Sequence, residues 1–405
     1  MHQTNIAIVL FLHVSLSLAQ QWSSIHIINP TNQKKIRACS PARLLLENVK
    51  VDGKTTNDLT ITLYSQNCTL LLSLEPTIQT ISHGCCLRKR MHLPPVILQC
   101  VDSEFPSLQS ESTLYIANLV HSKNIFHVFM DFLIPLDYTL KADNETRPFL
   151  YPKYCPQRHG LDSRYHSLLT PFTQKILTQK DLPMLFDKVY ISLDYTSLTC
   201  KGHHLRASRS RRVCRLAIES FKNSLLTHYN LTHLHKKTMR PTIALLDRFP
   251  HNRQVLNLQP LSTMLKQNKD IEADVKVFRS NEMSLIEQIK FALSTDILVC
   301  VHGAGAIFQL FLKSPGAIIM FYPPSCVNYV YNNLADTLGQ FHVNATVQEH
   351  ERLYTRRDDR FLISQDVSLD HWKDTHIRLT YDRLLEHLKP IVETIHKSIY
   401  DLEFD

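Results

Sequence analysis

Strands and helices alternate through the second half of the chain, and this order constrains the fold more than any other feature. Four apolar runs have the length of strands: 242–247, 274–279, 296–301 and 317–322. Segments with helical periodicity separate them: 259–268, 284–295 and 306–314. Because the runs 242–247, 296–301 and 317–322 are largely apolar without alternation, helices should cover both of their faces, as in a parallel sheet. The pattern predicts a doubly wound parallel sheet, whose ligands would bind beyond the carboxyl ends of the strands.

The first half is less regular. Short apolar runs between 61 and 120 alternate with polar turns and predict strands, and residues 124–140 predict a largely buried helix. The basic segment 201–215 predicts a solvated loop that leads into a helix over 214–231; contact with an anionic ligand and a processing site are the alternatives. A change of composition near Lys237 divides the chain into lobes at 20–236 and 237–405, and the second lobe ends in a C-terminal helix.

The amino terminus predicts entry into the secretory pathway. An uncharged apolar run from Ile6 ends in Ser17-Leu18-Ala19, the pattern of a signal peptide over 1–19 that is cleaved near Ala19. Because no basic residue precedes the run, a short uncleaved signal anchor is the alternative, and only that anchor would give a membrane contact. We expect the lumen of the endoplasmic reticulum or Golgi, or secretion. This location makes nucleic acid an unsuitable partner despite the net charge of +8.

The cysteines and the glycosylation sequons agree with that compartment. The chain has 10 cysteines, as suits an oxidising lumen. Cys300 lies in an apolar strand and is expected to be a free buried thiol. The acceptor asparagines of the predicted N-glycosylation sequons are Asn67, Asn144, Asn230 and Asn344.

Three of the chain's 8 glycines lie in one stretch, "VCVHGAGAIFQLFLKSPGAIIMF". The HGAG turn follows strand 296–301 and begins the next helix. Glycine there permits positive φ or close approach of a ligand, and the free N–H groups of a helix favour an anion. A phosphate-binding turn and a plain tight turn both fit this pattern.

The absence of other motifs reduces the number of ligand classes that the turn could bind. A dinucleotide fingerprint would need a small residue where Phe308 stands, and the GxxxxGK[ST] nucleotide loop is absent. The sequence also has no Asp-x-Asp, the carboxylate pair that holds a divalent ion against a nucleotide-sugar diphosphate. Such a diphosphate would have to be neutralised by protein groups alone. Arg248 and Arg253, at the same edge of the predicted sheet, and His302 beside the turn are suited to it, although a solvated loop would also place the arginines there.

Two groups of histidines are candidates for general-base catalysis or metal binding. His127 and Asp131 are four residues apart and share a helix face, so they form either a general base with its partner or a buried structural pair. His228, His233 and His235 could suggest a metal site, but their position around a sequon favours a solvated helix end. GxSxG and HExxH are absent, so the signatures of serine esterases and zinc proteases are missing.

Three separated segments resemble glycosyltransferase family 61: "NIFHVFMDFLIPLDYTL", "LLDRFPHNRQVLN" and "DILVCVHGAGAIFQLFLKSPGAIIMFYP". The resemblance covers roughly 124–331. It implies an α/β, GT-B-like architecture of two Rossmann-like lobes, with the acceptor on the N-terminal lobe and a UDP-sugar on the C-terminal lobe. It also implies inversion at the sugar carbon and no required metal or other cofactor.

The resemblance assigns site residues by position. The pyrophosphate turn of the family falls on His302, Gly303, Ala304 and Gly305. The family's arginine-containing loop falls on Arg248, Arg253 and Asn257. Its inter-lobe helix falls on Asn124, His127 and Asp131, with Asp131 and His127 as the catalytic residues.

The implied activity is transfer of a sugar, most simply N-acetylglucosamine, from a UDP-sugar to a glycoprotein hydroxyl. That hydroxyl would belong to an O-mannosyl glycan or to Ser or Thr of an EGF-like domain. The sequence departs from the family where a glutamate is usual, since Met320-Phe321-Tyr322 stands there. Leu119 likewise replaces an arginine ahead of the inter-lobe helix. The alternative is therefore a catalytically inactive secreted homologue that binds nucleotide-sugars or glycans.

Overall fold

A computed structural model gives the structure of the chain. It describes residues 24–28, 43–53, 59–64, 96–101, 112–119, 123–154, 163–191, 193, 208–235, 240–248, 253–322, 330–354 and 375–401. The predicted signal peptide, Asn67 and the predicted boundary at Lys237 lie outside these residues. In the described ranges, no helix combines the length and the apolar character that crossing a membrane requires.

The first half forms an eight-stranded mixed sheet. Its strands are β1 (Ser24–Ile28), β2 (Arg43–Gly53), β3 (Leu59–Tyr64), β4 (Val96–Val101), β5 (Thr113–Leu119), β6 (Phe149–Tyr154), β7 (Lys175–Ile176) and β8 (Met184–Ile191). They lie in the order β4-β3-β2-β8-β5-β6-β7, and β1 pairs with β2. The β8-β5-β6-β7 part is parallel, whereas β2 is antiparallel to β1, β3 and β8. The antiparallel part was not foreseen; the connection between β2 and β3 is too short for the crossover that parallel strands need.

The predicted helix over 124–140 is interrupted in its middle. It consists of α1 (Ile125–Val128), a π-helical turn (Phe129–Leu133) and α2 (Ile134–Ala142). The N–H of Ile134 donates to the carbonyl of Phe129, five residues back. Pro135 follows directly, and its ring cannot donate to the carbonyl of Asp131 as an α-helix would require. The proline therefore accounts for the wider turn, which contains Asp131.

Among the described residues of the first half, two further α-helices are α3 (His166–Leu169) and α4 (Ser208–His228). The start of α4 shows that the predicted basic loop is helical from 208 onward, which corrects that expectation. Serine and arginine are compatible with a helix, and the exposed side chains of Arg211, Arg212 and Arg215 extend to solvent.

The second half contains the predicted parallel sheet. Its strands are β9 (Thr242–Asp247), β10 (Asp274–Arg279), β11 (Ile297–Val301), β12 (Ala317–Tyr322) and β13 (Phe341–Thr346). All neighbours are parallel, in the order β10-β9-β11-β12-β13. The α-helices in the described part of this half are α5 (Leu258–Gln267), α6 (Leu285–Leu293), α7 (Val330–Leu338) and α8 (Tyr381–Asp401). A small antiparallel pair, β14 (Arg352–Tyr354) and β15 (Thr375–Ile377), precedes α8.

The segment after the glycine turn differs from its prediction. It is a 3₁₀-helix over Ala304–Phe311 instead of an α-helix over 306–314. This segment lies very close to the sheet, since a Cβ on Gly305 would be 2.8 Å from Cδ2 of Leu246 on β9. A 3₁₀-helix is narrower than an α-helix, which suits so close an approach.

Both faces of the three central strands, β9, β11 and β12, are buried, as their apolar runs predict. Ile243, Leu245 and Val299 point into a cluster with α5 and α8. Their neighbours Leu246 and Cys300 point the other way, into a cluster with α6, α7 and the 3₁₀-helix. This second cluster also takes in β5, α1, α2 and α4 of the first half. One continuous core therefore joins the two sheets.

Candidate functional site

The parallel sheet has a point where the direction of its connections reverses. The chain leaves β9 for β10 on one side, and it leaves β11 for β12 on the other. In a sheet of this order, a crevice opens beyond the carboxyl ends of these two central strands. Arg248 directly follows β9, and His302 and Gly303 directly follow β11. The structure therefore brings the predicted arginine loop and the HGAG turn to one crevice.

Two guanidinium groups converge on the turn. Nη1 of Arg253 donates to the carbonyl of His302 at 2.9 Å, and Nη1 of Arg248 approaches the same oxygen at 3.3 Å. Arg248 also lies against Gly303, where a Cβ would be 1.7 Å from Nη1. Arg253 has a left-handed backbone with φ of 63°, which is uncommon for a residue with a side chain and clusters at functional sites.

Arg248 is a partly buried cation beside the turn. Burial lowers the pKa of Arg248, and the neighbouring Tyr331 and Cys300 oppose that change. An arginine nevertheless remains charged in proteins. Among the described residues, no carboxylate forms an ion pair with Arg248. A desolvated charge of this kind is costly, and a bound anion would recover much of the cost.

The ring of His302 is neutral at physiological pH. Burial and then the charges of Arg253 and Arg248 lower its pKa to about 4. The ring centroid lies 5.2 Å from that of Tyr322 and 5.6 Å from that of Tyr331. Neither ring nitrogen has a hydrogen-bond partner in the described part of the chain. A neutral imidazole can therefore offer one N–H to a ligand in the crevice.

The turn itself has free backbone donors. The carbonyl of Gly303 accepts from the Tyr331 hydroxyl at 2.8 Å and from the N–H of Ala306 at 3.0 Å. Across the described ranges, no backbone carbonyl accepts from the N–H groups of Gly303, Ala304 or Gly305. Free N–H groups at the start of a helix favour an anion.

The His127–Asp131 pair is connected with the turn through Phe126 and Tyr331. Nδ1 of His127 is 2.7 Å from Oδ2 of Asp131. Asn124 caps the helix by accepting from the N–H of Phe126 at 3.1 Å. The ring centroid of Phe126 is 5.5 Å from that of His127 and 5.2 Å from that of Tyr331. A short chain of ring contacts therefore connects the pair with the glycine turn.

Asn257 is engaged elsewhere. Its side-chain amide donates to the carbonyl of Leu379 at 2.6 Å and accepts from the N–H of Leu379 at 3.2 Å. Both halves of the amide hold the segment that precedes α8. The structure therefore does not bring this predicted ligand-binding side chain to the turn.

Sequence reasoning missed Tyr331. This residue is 5% exposed, lies beyond the last of the three motifs and reaches the turn only through the fold. An aromatic residue at the start of a helix is an ordinary core residue in sequence terms. No local signal could have shown its contact with Gly303.

The remaining predicted features lie apart from the crevice. The sequon asparagines Asn144, Asn230 and Asn344 are exposed. Cys300 is a free buried thiol, as predicted, and Cys214 is disulfide-bonded. His228 and His233 are exposed, and the described residues contain no group of three His, Cys, Asp or Glu side chains that could hold a metal ion.

The sheet order and the side chains around the turn define an α/β protein with cationic groups at its topological switch point. Residues 125–320 match the family model Glycosyltransferase 61. This match spans α1, the arginines and the HGAG turn, and it confirms the resemblance to glycosyltransferase family 61 over that region.

Three relatives illustrate the similarity. The EGF domain-specific O-linked N-acetylglucosamine transferase of Canis lupus familiaris is 27% identical over 103 residues, which are 25% of this chain and 20% of the relative. The same enzyme of Mus musculus is 28% identical over the same shares. The Protein O-linked-mannose beta-1,4-N-acetylglucosaminyltransferase 2 of Tetraodon nigroviridis is 26% identical over 220 residues, 53% of this chain and 37% of the relative. The chain thus spans about a fifth of the length of the first two relatives.

Proposed function

We propose that the protein is a glycosyltransferase of the secretory pathway that transfers N-acetylglucosamine from UDP-N-acetylglucosamine to a glycoprotein hydroxyl. The family match and the names of the relatives, all N-acetylglucosaminyltransferases, support the reaction class and the sugar. The acceptor is Ser or Thr of an EGF-like domain or an O-mannosyl glycan. The proposal includes a GT-B-like arrangement of the two sheets, inversion at the sugar carbon and no required metal.

The observation that carries the proposal is the partly desolvated charge of Arg248 at the switch point. The guanidinium lies against Gly303 without an ion-pair partner among the described residues. Arg253, the ring of His302 and the N–H groups of the turn surround the same crevice. A diphosphate supplies the two negative charges that these donors can bind together. UDP, the leaving group of the reaction, presents such a diphosphate.

The chemistry then follows from charge and proton movement. The acceptor hydroxyl oxygen attacks the anomeric carbon, a new oxygen–carbon bond forms, and the bond from that carbon to the diphosphate breaks. The carboxylate of Asp131 takes the hydroxyl proton, and His127, at 2.7 Å from it, orients the carboxylate. The electron pair leaves with UDP, whose growing charge Arg248 and Arg253 stabilise.

Donor binding is tested with two arginines at opposite ends of β9. Arg248 follows its last residue, whereas Arg240 precedes its first residue and has a side chain that is 58% exposed. Calorimetric titration with UDP should show at least about tenfold weaker binding for Arg248→Gln, because charge-assisted hydrogen bonds are lost. Arg240→Gln should bind UDP as the wild type does. Equal affinity of the two variants, or no UDP binding by the wild type, would refute the donor assignment.

Asp131→Asn tests the base on the same preparations. We expect this variant to bind UDP normally and to lose transfer from UDP-N-acetylglucosamine to EGF-like and O-mannosyl peptides. Retained turnover would remove Asp131 from the base role.

The alternative is an inactive homologue that binds a nucleotide-sugar or a glycan. The observation that favours it is the end of β12, where Met320, Phe321 and Tyr322 are buried and offer no carboxylate to donor hydroxyls. UDP binding by the wild type without transfer to any acceptor would support this alternative.

A further inference from the structure

We propose that Tyr331 is a positioning residue that presents the Ala304 N–H to the donor diphosphate. The inference rests on the proposed function and adds a residue to the site. It starts from a hydrogen bond, the 2.8 Å bond from the Tyr331 hydroxyl to the carbonyl of Gly303.

The geometry of the peptide bond connects Tyr331 with Ala304. The carbonyl of Gly303 and the N–H of Ala304 belong to one planar trans peptide unit, in which the two groups point in opposite directions. Tyr331 is 5% exposed, so its hydroxyl draws the carbonyl towards the interior. The N–H of Ala304 must then point away from the interior. Ala304 is partly exposed, and no backbone carbonyl of the described residues accepts from its N–H.

The hydroxyl also removes a repulsion. A carbonyl oxygen that faced the crevice would oppose a phosphate through its partial negative charge. The Gly303 oxygen instead accepts two hydrogen bonds, from Tyr331 and from the N–H of Ala306 at 3.0 Å. The donors of the turn remain available for the anion.

The ring of Tyr331 holds this arrangement in place. Its edge contacts are with His302 and Phe126, at centroid distances of 5.6 and 5.2 Å. Burial raises the pKa of Tyr331, so the phenol stays protonated and can donate at any physiological pH. Tyr331→Phe keeps these ring contacts and removes only the hydroxyl.

Tyr331→Phe should weaken UDP binding about fivefold, because one hydrogen bond contributes a factor of about that size to the affinity. The same variant should bind uridine as the wild type does. Uridine lacks the diphosphate, so this comparison isolates the phosphate contact from general damage to the fold. The matched control is Tyr115→Phe, because Tyr115 is also buried but its hydroxyl bonds Asp143 at 2.6 Å in the first half. The control should bind both compounds as the wild type does.

Ala304→Pro removes the same N–H directly, and proline is tolerated at the first position of a helix. If Tyr331 acts through this N–H, the variant that combines Tyr331→Phe with Ala304→Pro should bind UDP no more weakly than Ala304→Pro alone. The inference would be overturned if the two substitutions lowered UDP affinity additively, or if Tyr331→Phe weakened UDP and uridine binding equally. It would also be overturned if Tyr331→Phe left UDP affinity unchanged while Arg248→Gln lowered it. Absence of UDP binding by the wild type would overturn the proposed function and this inference together.

Discussion

At the scale of residues, the three glycines of the 299–321 stretch serve three different purposes. Gly303 has φ of 163° and ψ of 178°, an extended backbone that any residue can adopt, so its role is not the positive φ that the sequence suggested. A Cβ there would displace the guanidinium of Arg248. A Cβ on Gly305 would contact a terminal methyl group of Leu246. A Cβ on Gly316 would lie 2.4 Å from the carbonyl oxygen of Lys313. The end of a side chain can move at a small cost in free energy, whereas moving a backbone carbonyl has a large cost.

These contacts predict three separable outcomes. Gly303→Ala should fold normally and lose most of its UDP affinity, because only the flexible end of Arg248 is displaced. Gly305→Ala should bind UDP with a small loss of stability, and Gly316→Ala should fold poorly. Thermal melting and UDP titration of the three variants check this order. Full UDP affinity in Gly303→Ala would contradict the position of Arg248.

His302 predicts a pH dependence with a definite sign. Its pKa is about 4 in the folded protein, below the ordinary value of 6.5. Between these values the unfolded chain binds a proton at this position and the folded protein does not, so the free energy of unfolding falls as the pH is lowered from about 6.5 towards 4. His302→Gln keeps an N–H donor but does not titrate. Chemical denaturation between pH 7 and pH 4 should show that this variant loses less free energy of unfolding than the wild type. The prediction would be contradicted if the free energies of unfolding of the two proteins fell in parallel with pH.

At the scale of elements, local pattern predicted the second half well and the first half poorly. The strands β9, β11 and β12 have almost unbroken apolar runs because both faces are buried, so their bounds could be read from the sequence. The π-helical turn and the 3₁₀-helix were missed for different reasons. Pro135 was visible, but its effect depends on how the next turn of helix hydrogen-bonds. The 3₁₀-helix reflects the close contact of Gly305 with β9, which is a tertiary constraint.

The candidate site shows the same division. Arg248 and the HGAG turn could be predicted because each directly follows a strand and parallel strands end at one edge, and Arg253 lies in the loop that begins with Arg248. Tyr331 and the placement of Asn257 on Leu379 could not be predicted, because both contacts join segments far apart in the chain. Sequence patterns thus locate the crevice, whereas the groups that shape it depend on tertiary packing.

At the scale of the whole molecule, one core couples the two sheets. A single cluster includes Leu119 from β5, Phe126 from α1, Leu246 from β9 and Tyr331 from α7. Because these residues are packed together, neither half can unfold without exposing apolar surface of the other. We therefore expect one cooperative unfolding transition.

UDP should then stabilise both halves although it binds at the second one. At a free concentration of 100 times its dissociation constant, a ligand of the folded state adds about 2.7 kcal/mol to the free energy of unfolding. Native-state hydrogen exchange should show this same increment for the slowest amides of β5 and of β11, because both exchange only through global unfolding. The Arg248→Gln variant at the same UDP concentration is the control, and its amides should gain much less in both strands. Protection gained in β11 alone would mean that the halves unfold separately, so that the shared cluster does not couple the donor crevice to the first sheet.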